Sequence, residues 1–271
     1  MLDVHPPHHA ANTWRDFFIH IATIVVGLLI AVGIEQGVEH FHQREQVKQA
    51  REALDLERRK NIISSQIVAG ILRRQQDAYS GTLAALQFLR VHPGTPLDRL
   101  PAPIVWVSNN ATLDTVAWKT LQPSPIAALI PTSELQRDAS LYRHIDRVNE
   151  AEDRMWDAVN QANRYEFTSA NPSSLSAQQL DSVIAATENL LTENFEAATD
   201  LENLCRIEKG FGFTPCITRD ELNTWKHYIL GAKVGEVFGQ AGRDYLVRRA
   251  ASDEQLKKLR VELSALDKEE Q

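Results

Sequence analysis

The sequence predicts an all-α protein, in which an N-terminal transmembrane helix continues into a long helix that packs with an antiparallel helical bundle. Three observations support this fold class. An uncharged apolar run lies near the N-terminus, apolar residues further on recur at spacings of three and four, and only 12 Gly and 11 Pro interrupt 271 residues. Spacings of three and four place side chains on one helix face, so helices that share a core are expected.

Residues 16–36 are predicted to form the transmembrane helix, behind a short tail of residues 1–15. Between Phe17 and Ile34 the chain has no Asp, Glu, Lys or Arg. At about 1.5 Å per residue, this run is just long enough for a hydrocarbon core of about 30 Å. Its apolar residues contribute roughly −4 to −7 kcal/mol of insertion free energy. The lipid bilayer is therefore the expected partner of residues 16–36.

Two other interpretations of the apolar run stay open from the sequence. Ala31 and Gly33 have the small size and spacing of a signal-peptide cleavage site, although Asp3 and Asp16 make the leading region unusually acidic. The run also fits a core helix, although it lacks the polar stripe of a helix that is half buried.

Residues 37–91 are predicted to form a long helix, in which a break near Asn61 or Gly70 is allowed. Residues 43–60 carry alternating charges and few apolar residues, which is typical of a solvated stalk. Beyond them, one face recurs at helical spacing and predicts packing: Val68, Leu72, Gln75, Tyr79, Leu83, Leu86 and Leu89.

Residues 92–131 are predicted to be a proline-rich connection with one short helix, because proline is excluded from helix interiors. Ile104 to Val107 are expected to form a short extended piece over the bundle. In the short helix, Val116 and Trp118 are candidates for burial.

Residues 132–271 are predicted to be the helical bundle domain. Capping boxes mark three helix starts: Ser133 with Gln136, Ser176 with Gln179, and Thr218 with Glu221. The first two of these helices carry seams with a repeat of about 3.5 residues, which favours near-parallel packing. The seams are Leu141, Ile145, Val148, Glu152, Met155, Val159 and Ala162, and then Leu180, Ile184, Thr187, Leu191, Asn194, Ala198, Leu201 and Cys205.

Cys205 and Cys216 flank a short loop between two predicted helices, where a disulfide can join the helix ends. The alternative is two unrelated buried thiols. A disulfide favours an exported domain, whereas counting Arg44, Lys48 and Arg51 against Arg15 favours a cytoplasmic one. We expect the exported orientation, because long domains translocate largely regardless of charge.

A glycine series is predicted to lie on one helix face, where a neighbouring backbone approaches closely: Gly231, Gly235, Gly239 and Gly242. The alternatives are a homodimer seam and a hinge. A homodimer is also compatible with the small residues Gly27, Ala31, Gly33 and Gly37 of the apolar run.

We find no residues to assign as catalytic, cofactor-binding or metal-binding. One Glu-x-x-His occurs, at Glu39 and His42, whereas a di-iron bundle needs two such units and further carboxylates. Phosphate-loop, serine-hydrolase and zinc-protease motifs are missing from the sequence. The net charge of −7 argues against a nucleic-acid partner, which requires a dense positive surface.

The order of segments is similar to that of a widespread class of uncharacterised bacterial single-pass membrane proteins. The resemblance rests on WRDFFIHIATIVVGLLIAVGIEQ, REALDLERRKNI, TLDTVAWKTLQ and SELQRDASLYRHIDRV. It implies a bacterial inner membrane location with a helical domain in the periplasm, and it implies no activity. The expected function is a non-enzymatic envelope module for sensing, scaffolding or binding a partner that the sequence leaves unidentified. The alternative is an enzyme whose site is assembled from scattered carboxylates and histidines inside the bundle.

Overall fold

The computed structural model describes residues 14–106, 111–163, 175–229, 257–262 and 264–265, and within these ranges all regular structure is helical. The predicted all-α fold class is confirmed. The α-helices up to residue 229 are α1 (Trp14–Val91), α2 (Val116–Leu121), α3 (Thr132–Asn163), α4 (Ala177–Ile207) and α5 (Arg219–Ile229). Residues 257–262 and 264–265 are also helical. Short 3-10 turns lie at Leu97–Arg99, Pro125–Leu129 and Glu208–Phe211.

Helix α1 runs without a break over its whole length, which is roughly 117 Å at about 1.5 Å per residue. The break that the sequence allows near Asn61 does not occur. The amide of Asn61 bonds the backbone of Asp114, at 2.8 Å to its oxygen and 2.7 Å from its nitrogen. It therefore does not compete for the hydrogen bonds of its own helix.

The bundle core consists of α1, α3 and α4, with α4 packed closely against each of the other two. Arg90 of α1 pairs with Asp181 of α4, and Gln76 of α1 accepts a hydrogen bond from Asn194 of α4. Because the lower residue number on α1 meets the higher one on α4, these two helices are antiparallel.

The three seams predicted from the sequence are confirmed, because every one of their residues is buried. The packing forms two large hydrophobic clusters. The proximal cluster contains Leu72, Ile145 and Leu201, and also takes in α2 and the start of α5. The distal cluster contains Tyr79 and Leu190, together with the far end of α3.

The connection between α1 and α3 is fixed to both helices by three polar side chains. Each side chain bonds the backbone N–H and the backbone carbonyl of a single residue, as a neighbouring strand would. The pairs are Thr82 with Val105, Asn61 with Asp114 and Asn149 with Leu113, at 2.7 to 2.9 Å. We call these contacts the connection clamps. They satisfy backbone groups of a segment that has no ladder of its own.

Three expectations from the sequence are wrong in detail. Residues 43–60 are not a solvated stalk throughout, because α2 and the turn Pro125–Leu129 pack against α1 there and bury Leu54 and Glu57. In α2, Trp118 is buried as predicted, but Val116 is 72% exposed. The predicted cap Ser133 lies inside α3, which begins one residue earlier, directly after Pro131.

The other two capping boxes are confirmed. At the start of α4, the Ser176 hydroxyl accepts from the Gln179 N–H, and the Gln179 side chain accepts from the Ser176 N–H. Thr218 and Glu221 make the same reciprocal pair at the start of α5. These bonds satisfy N–H groups that a helix start leaves without a partner.

Candidate functional site

Among the described residues, most of the exposed large apolar side chains lie in the first part of α1. Every side chain that the structure describes between Trp14 and His42 is exposed. An 18-residue window of this part has a mean hydropathy of 2.6, and none of the window is buried. By length and composition, α1 therefore contains a stretch that can cross a membrane. The apolar run from Phe17 to Ile34 is exposed and is therefore not a core helix of the bundle, so the interpretation of the run as a core helix is wrong.

The two ends of this apolar stretch differ in chemistry. At its start the Trp14 ring lies 5.9 Å from that of Phe17 and 6.1 Å from that of Phe18, in an exposed aromatic group. Towards the bundle, the Gln43 amide donates to the Glu39 carboxylate at 2.8 Å. Aromatic rings suit a membrane–water interface, whereas paired polar side chains suit water.

A surface groove of about 720 Å³ lies between α1 and the α2 region. Its lining includes Leu56, Val116, Leu121 and Ile126, together with the charged Lys60. Glu57 also lines the groove and accepts hydrogen bonds from the N–H groups of Ala117, at 2.6 Å, and Trp118, at 3.3 Å. The Glu57 carboxylate is thus occupied in holding the first turn of α2.

A second site lies inside the bundle, where the proximal and distal clusters meet. It consists of Gln75, Gln76 and Tyr79 from α1, Glu152 from α3 and Asn194 from α4, all fully buried or nearly so. We call these five residues the polar layer. The Asn194 amide donates to the Leu72 carbonyl at 3.3 Å and to the Gln76 side-chain oxygen at 3.1 Å, which joins α4 to α1.

Glu152 is the acidic member of the polar layer. Its side chain is 1% exposed, and neither carboxyl oxygen has a hydrogen-bond partner among the described residues. Burial, and to a lesser degree the nearby Asp153 carboxylate, raise the pKa of Glu152 to about 8. Burial, followed by the charge of Glu152, also raises the pKa of the Tyr79 phenol. Near neutral pH, Glu152 is therefore mostly protonated.

Other buried acids have partners that stabilise their charge. Glu208 accepts from the His144 ring at 2.8 Å, and Glu202 pairs with Arg206 at 3.0 Å. Burial raises the pKa of Asp138, but the nearby Arg58 and Arg137 act in the opposite direction. The environment of Glu152 is different, because among the described residues no cation opposes the effect of its burial on its pKa.

Cys205 and Cys216 form the predicted disulfide, with a Cα–Cα distance of 6.2 Å. Both are buried in the proximal cluster, where the bond ties the end of α4 to the loop before α5. The predicted glycine series, Gly231, Gly235, Gly239 and Gly242, lies outside the described residues. Across the ranges that the structure describes, no three His, Cys, Asp or Glu residues come together as metal ligands.

The polar layer has a sequence signal that single-helix patterns do not reveal. Gln75 and Glu152 each interrupt an otherwise apolar helix face, and the seam of α4 contains two polar residues, Thr187 and Asn194. These polar positions are the signal, and only the alignment of the helices shows that Asn194 reaches α1 at Gln76. Comparison with protein-family models, curated proteins and solved structures gives no match for this chain.

Proposed function

We propose that this chain is a single-pass protein of the bacterial inner membrane, anchored by residues 16–36, with its helical bundle in the periplasm. The bundle acts as a non-enzymatic module for sensing, scaffolding or partner binding. The observation that carries the proposal is the exposed apolar stretch of α1, which continues without a break into the core of the bundle.

The bundle leaves the apolar side chains in the first part of α1 uncovered, and a bilayer would cover them. Ile24, Leu28 and Leu29 are each about 60% exposed or more, and the other large apolar side chains from Phe17 to Ile34 are 44–64% exposed. Burying one such side chain is worth about 1.5–3 kcal/mol. Lipid supplies that burial, and a helix satisfies its own backbone groups there. Insertion therefore removes the largest unfavourable surface of the molecule.

The orientation follows from the chemistry of the cysteines. Disulfides persist in oxidising compartments and are rare where thiols are kept reduced. A buried bond between Cys205 and Cys216 thus favours a bundle outside the cytoplasm. The count of Lys and Arg beside the span favours the reverse, but it governs short loops and carries less weight for a domain of this length.

The contacts around the groove favour a binding module over an enzyme. Catalysis needs reactive groups that converge on a substrate. In the groove, the buried carboxylate Glu57 already accepts two backbone N–H groups of α2. Apolar side chains such as Val116 and Leu121 form much of the remaining lining.

The test is a topology measurement on the full chain. We expect a C-terminal alkaline phosphatase fusion to be active and a C-terminal β-galactosidase fusion to be inactive, because the first requires export and the second requires the cytoplasm. In the same cells, a maleimide reagent applied under denaturing conditions should label no cysteine before reduction and two after it.

A matched control uses Cys205→Ser together with Cys216→Ser. This variant should keep the fusion pattern of the wild type and label no cysteine in either condition. The bundle should lose roughly 2–3 kcal/mol of stability, which is the chain-entropy effect of a short disulfide loop. An active β-galactosidase fusion with two free wild-type thiols contradicts the proposed orientation.

A further inference from the structure

We propose that Glu152 is a proton-operated switch: it is held protonated in the polar layer, and its ionisation loosens the joint between the proximal and distal clusters. The link from this switch to the membrane rests on the proposed function, whereas the switch itself depends only on the bundle. Proton binding at Glu152 is distinct from the anchoring and partner binding proposed for the chain.

The buried position of Glu152 favours its uncharged form. Glu152 projects from α3 into the centre of the bundle, 1% exposed and without a hydrogen-bond partner on either oxygen among the described residues. A buried carboxylate without donors costs several kcal/mol of free energy, so the neutral acid is the form that fits. Glu57, Glu202 and Glu208 are buried to a similar degree, but each of them has a donor or a cation.

The groups near Glu152 also favour its uncharged form. From α1, Tyr79 lies close enough for the charge of Glu152 to act on its phenol. The other members of the polar layer, Gln75 and Gln76 of α1 and Asn194 of α4, carry neutral amides. On its own helix, the carboxylate of Asp153 repels a second negative charge.

The nearest cation on α3 is directed elsewhere. Arg154 pairs with Glu193 at 3.3 Å and with Glu196 at 3.5 Å, both on the outer side of α4. Among the described residues, the charge that acts on the pKa of Glu152 is the like charge of Asp153. Ionisation consequently has to bring in water or move the side chain outward.

The position of the polar layer connects Glu152 to both hydrophobic clusters. The layer lies between two hydrophobic clusters that share α1, α3 and α4, so it is the joint between them. Charge in the joint weakens the contacts on both sides, because the hydrogen bond between Asn194 and Gln76 lies in the same layer. Since α1 runs through both clusters and on into the apolar stretch, a change at the joint acts on the helix that enters the bilayer.

The test is hydrogen–deuterium exchange on the full chain in detergent micelles between pH 6 and pH 10, corrected for the intrinsic pH dependence of exchange. We expect the protection of residues 72–79, 148–156 and 190–198 to fall by about tenfold per pH unit from pH 6 to about pH 8 and to level off at higher pH, because Glu152 loses its proton at lower pH in the opened bundle than in the closed one. The Glu152→Gln variant, which cannot ionise, should keep its protection across this range.

Two further variants control the measurement. Glu150→Gln removes an exposed carboxylate of the same helix and should behave as the wild type does. Asp153→Asn removes the like charge beside Glu152 and so lowers the folded-state pKa of Glu152, and the loss of protection should therefore level off at a lower pH than in the wild type. Asp153 is exposed, and this variant therefore tests the switch even if Glu152→Gln does not fold.

Protection that is independent of pH in the wild type, or that falls equally in wild type and Glu152→Gln, overturns the switch. Protection that levels off at the same pH in Asp153→Asn and in the wild type also counts against the switch. These outcomes do not depend on the direction in which the chain crosses a membrane. Failure of the switch and failure of the proposed function are therefore distinguishable.

Discussion

The two parts of α1 invert the usual relation between composition and burial. Residues 14–42 include the most hydrophobic window of the described chain, with a mean hydropathy of 2.6, and their described side chains are all exposed. Residues 43–91 are rich in charge, yet they supply one wall of the core, including Leu54, Leu72 and Tyr79. Both parts belong to a single helix with a single backbone geometry.

The difference shows that spacing and neighbours, rather than mean hydropathy, decide burial within this protein. The second part of α1 is covered by α4, by α2 and by the turn Pro125–Leu129. Every residue from Ala78 to Leu86 is buried, so this stretch is enclosed on all sides by protein. The first part is apolar on every side, so no single neighbouring helix can cover it. A medium that surrounds the helix, such as lipid, suits that pattern.

The largest expected effect comes from placing charge in the exposed part. Leu28→Arg together with Leu29→Arg should raise the insertion free energy by roughly 6 kcal/mol, which cancels most of the driving force for insertion. We expect the chain to leave the membrane pellet after cell fractionation. Val38→Arg together with Phe41→Arg places the same charges on exposed residues just beyond the span and should leave the chain in the pellet.

The next prediction compares one substitution in the two parts of the helix. Leu72→Ala should reduce the free energy of unfolding by about 2–5 kcal/mol, because Leu72 is fully buried between the helices. Leu29→Ala, at a side chain that is 67% exposed, should leave that free energy unchanged. Denaturant titration in micelles, followed by circular dichroism, measures both. Equal losses in the two variants would show that residues around 29 belong to the folded core.

A smaller effect is expected at the connection clamps. Asn149→Ala leaves the backbone N–H and carbonyl of Leu113 without their partner and should cost about 1–3 kcal/mol. Asn160→Ala, at an exposed position of the same helix, gains the same helix propensity and serves as the control. A stability for Asn149→Ala that matches this control would mean that water replaces the clamp at no cost.

The smallest expected effect concerns the ion pair between Arg51 and Glu134, which lies at the surface. The pair is bidentate at 2.8 Å, but Arg51 is 46% exposed, so solvent screens it. Arg51→Ala should cost at most about 1 kcal/mol at pH 7.

The Arg51 side chain, by its hydrogen bond, lowers the pKa of Glu134. This stabilisation is present above the unfolded-state pKa and is lost as pH falls through the lowered folded-state value. The difference in stability between Arg51→Ala and the wild type should therefore vanish in acid. A difference that persists at pH 2 would point to packing rather than charge.

The sequence predicts the features that depend on a single helix, such as buried faces and capping boxes. It does not predict the contacts that depend on the alignment of two or more helices. The seams of α1, α3 and α4 follow from spacing within each helix, and all of their residues are buried. The capping boxes at Ser176 and Thr218 are local too, and both are present. Ser133 has the same signature, but Pro131, which precedes α3, marks the helix start instead.

The polar layer and the connection clamps lie beyond single-helix patterns. Asn194 meets Gln76, and Glu152 acts on Tyr79, only because the register of three helices aligns them. Asn61 and Asn149 bond backbone atoms far away in sequence, and an Asn in a helix carries no signal of such a partner. Val116 has the apolar character of a core residue, yet α2 turns it into the groove rather than the core.

The central claim is that the apolar half of α1 lies in lipid and stays attached to the bundle. The most direct test is an alkaline carbonate wash of membranes from cells that express the full chain, followed by intact mass measurement of the protein in the pellet. The account predicts a carbonate-resistant protein of 30.5 kDa. A protein released by the wash, or one shortened by the loss of its apolar run, would contradict it.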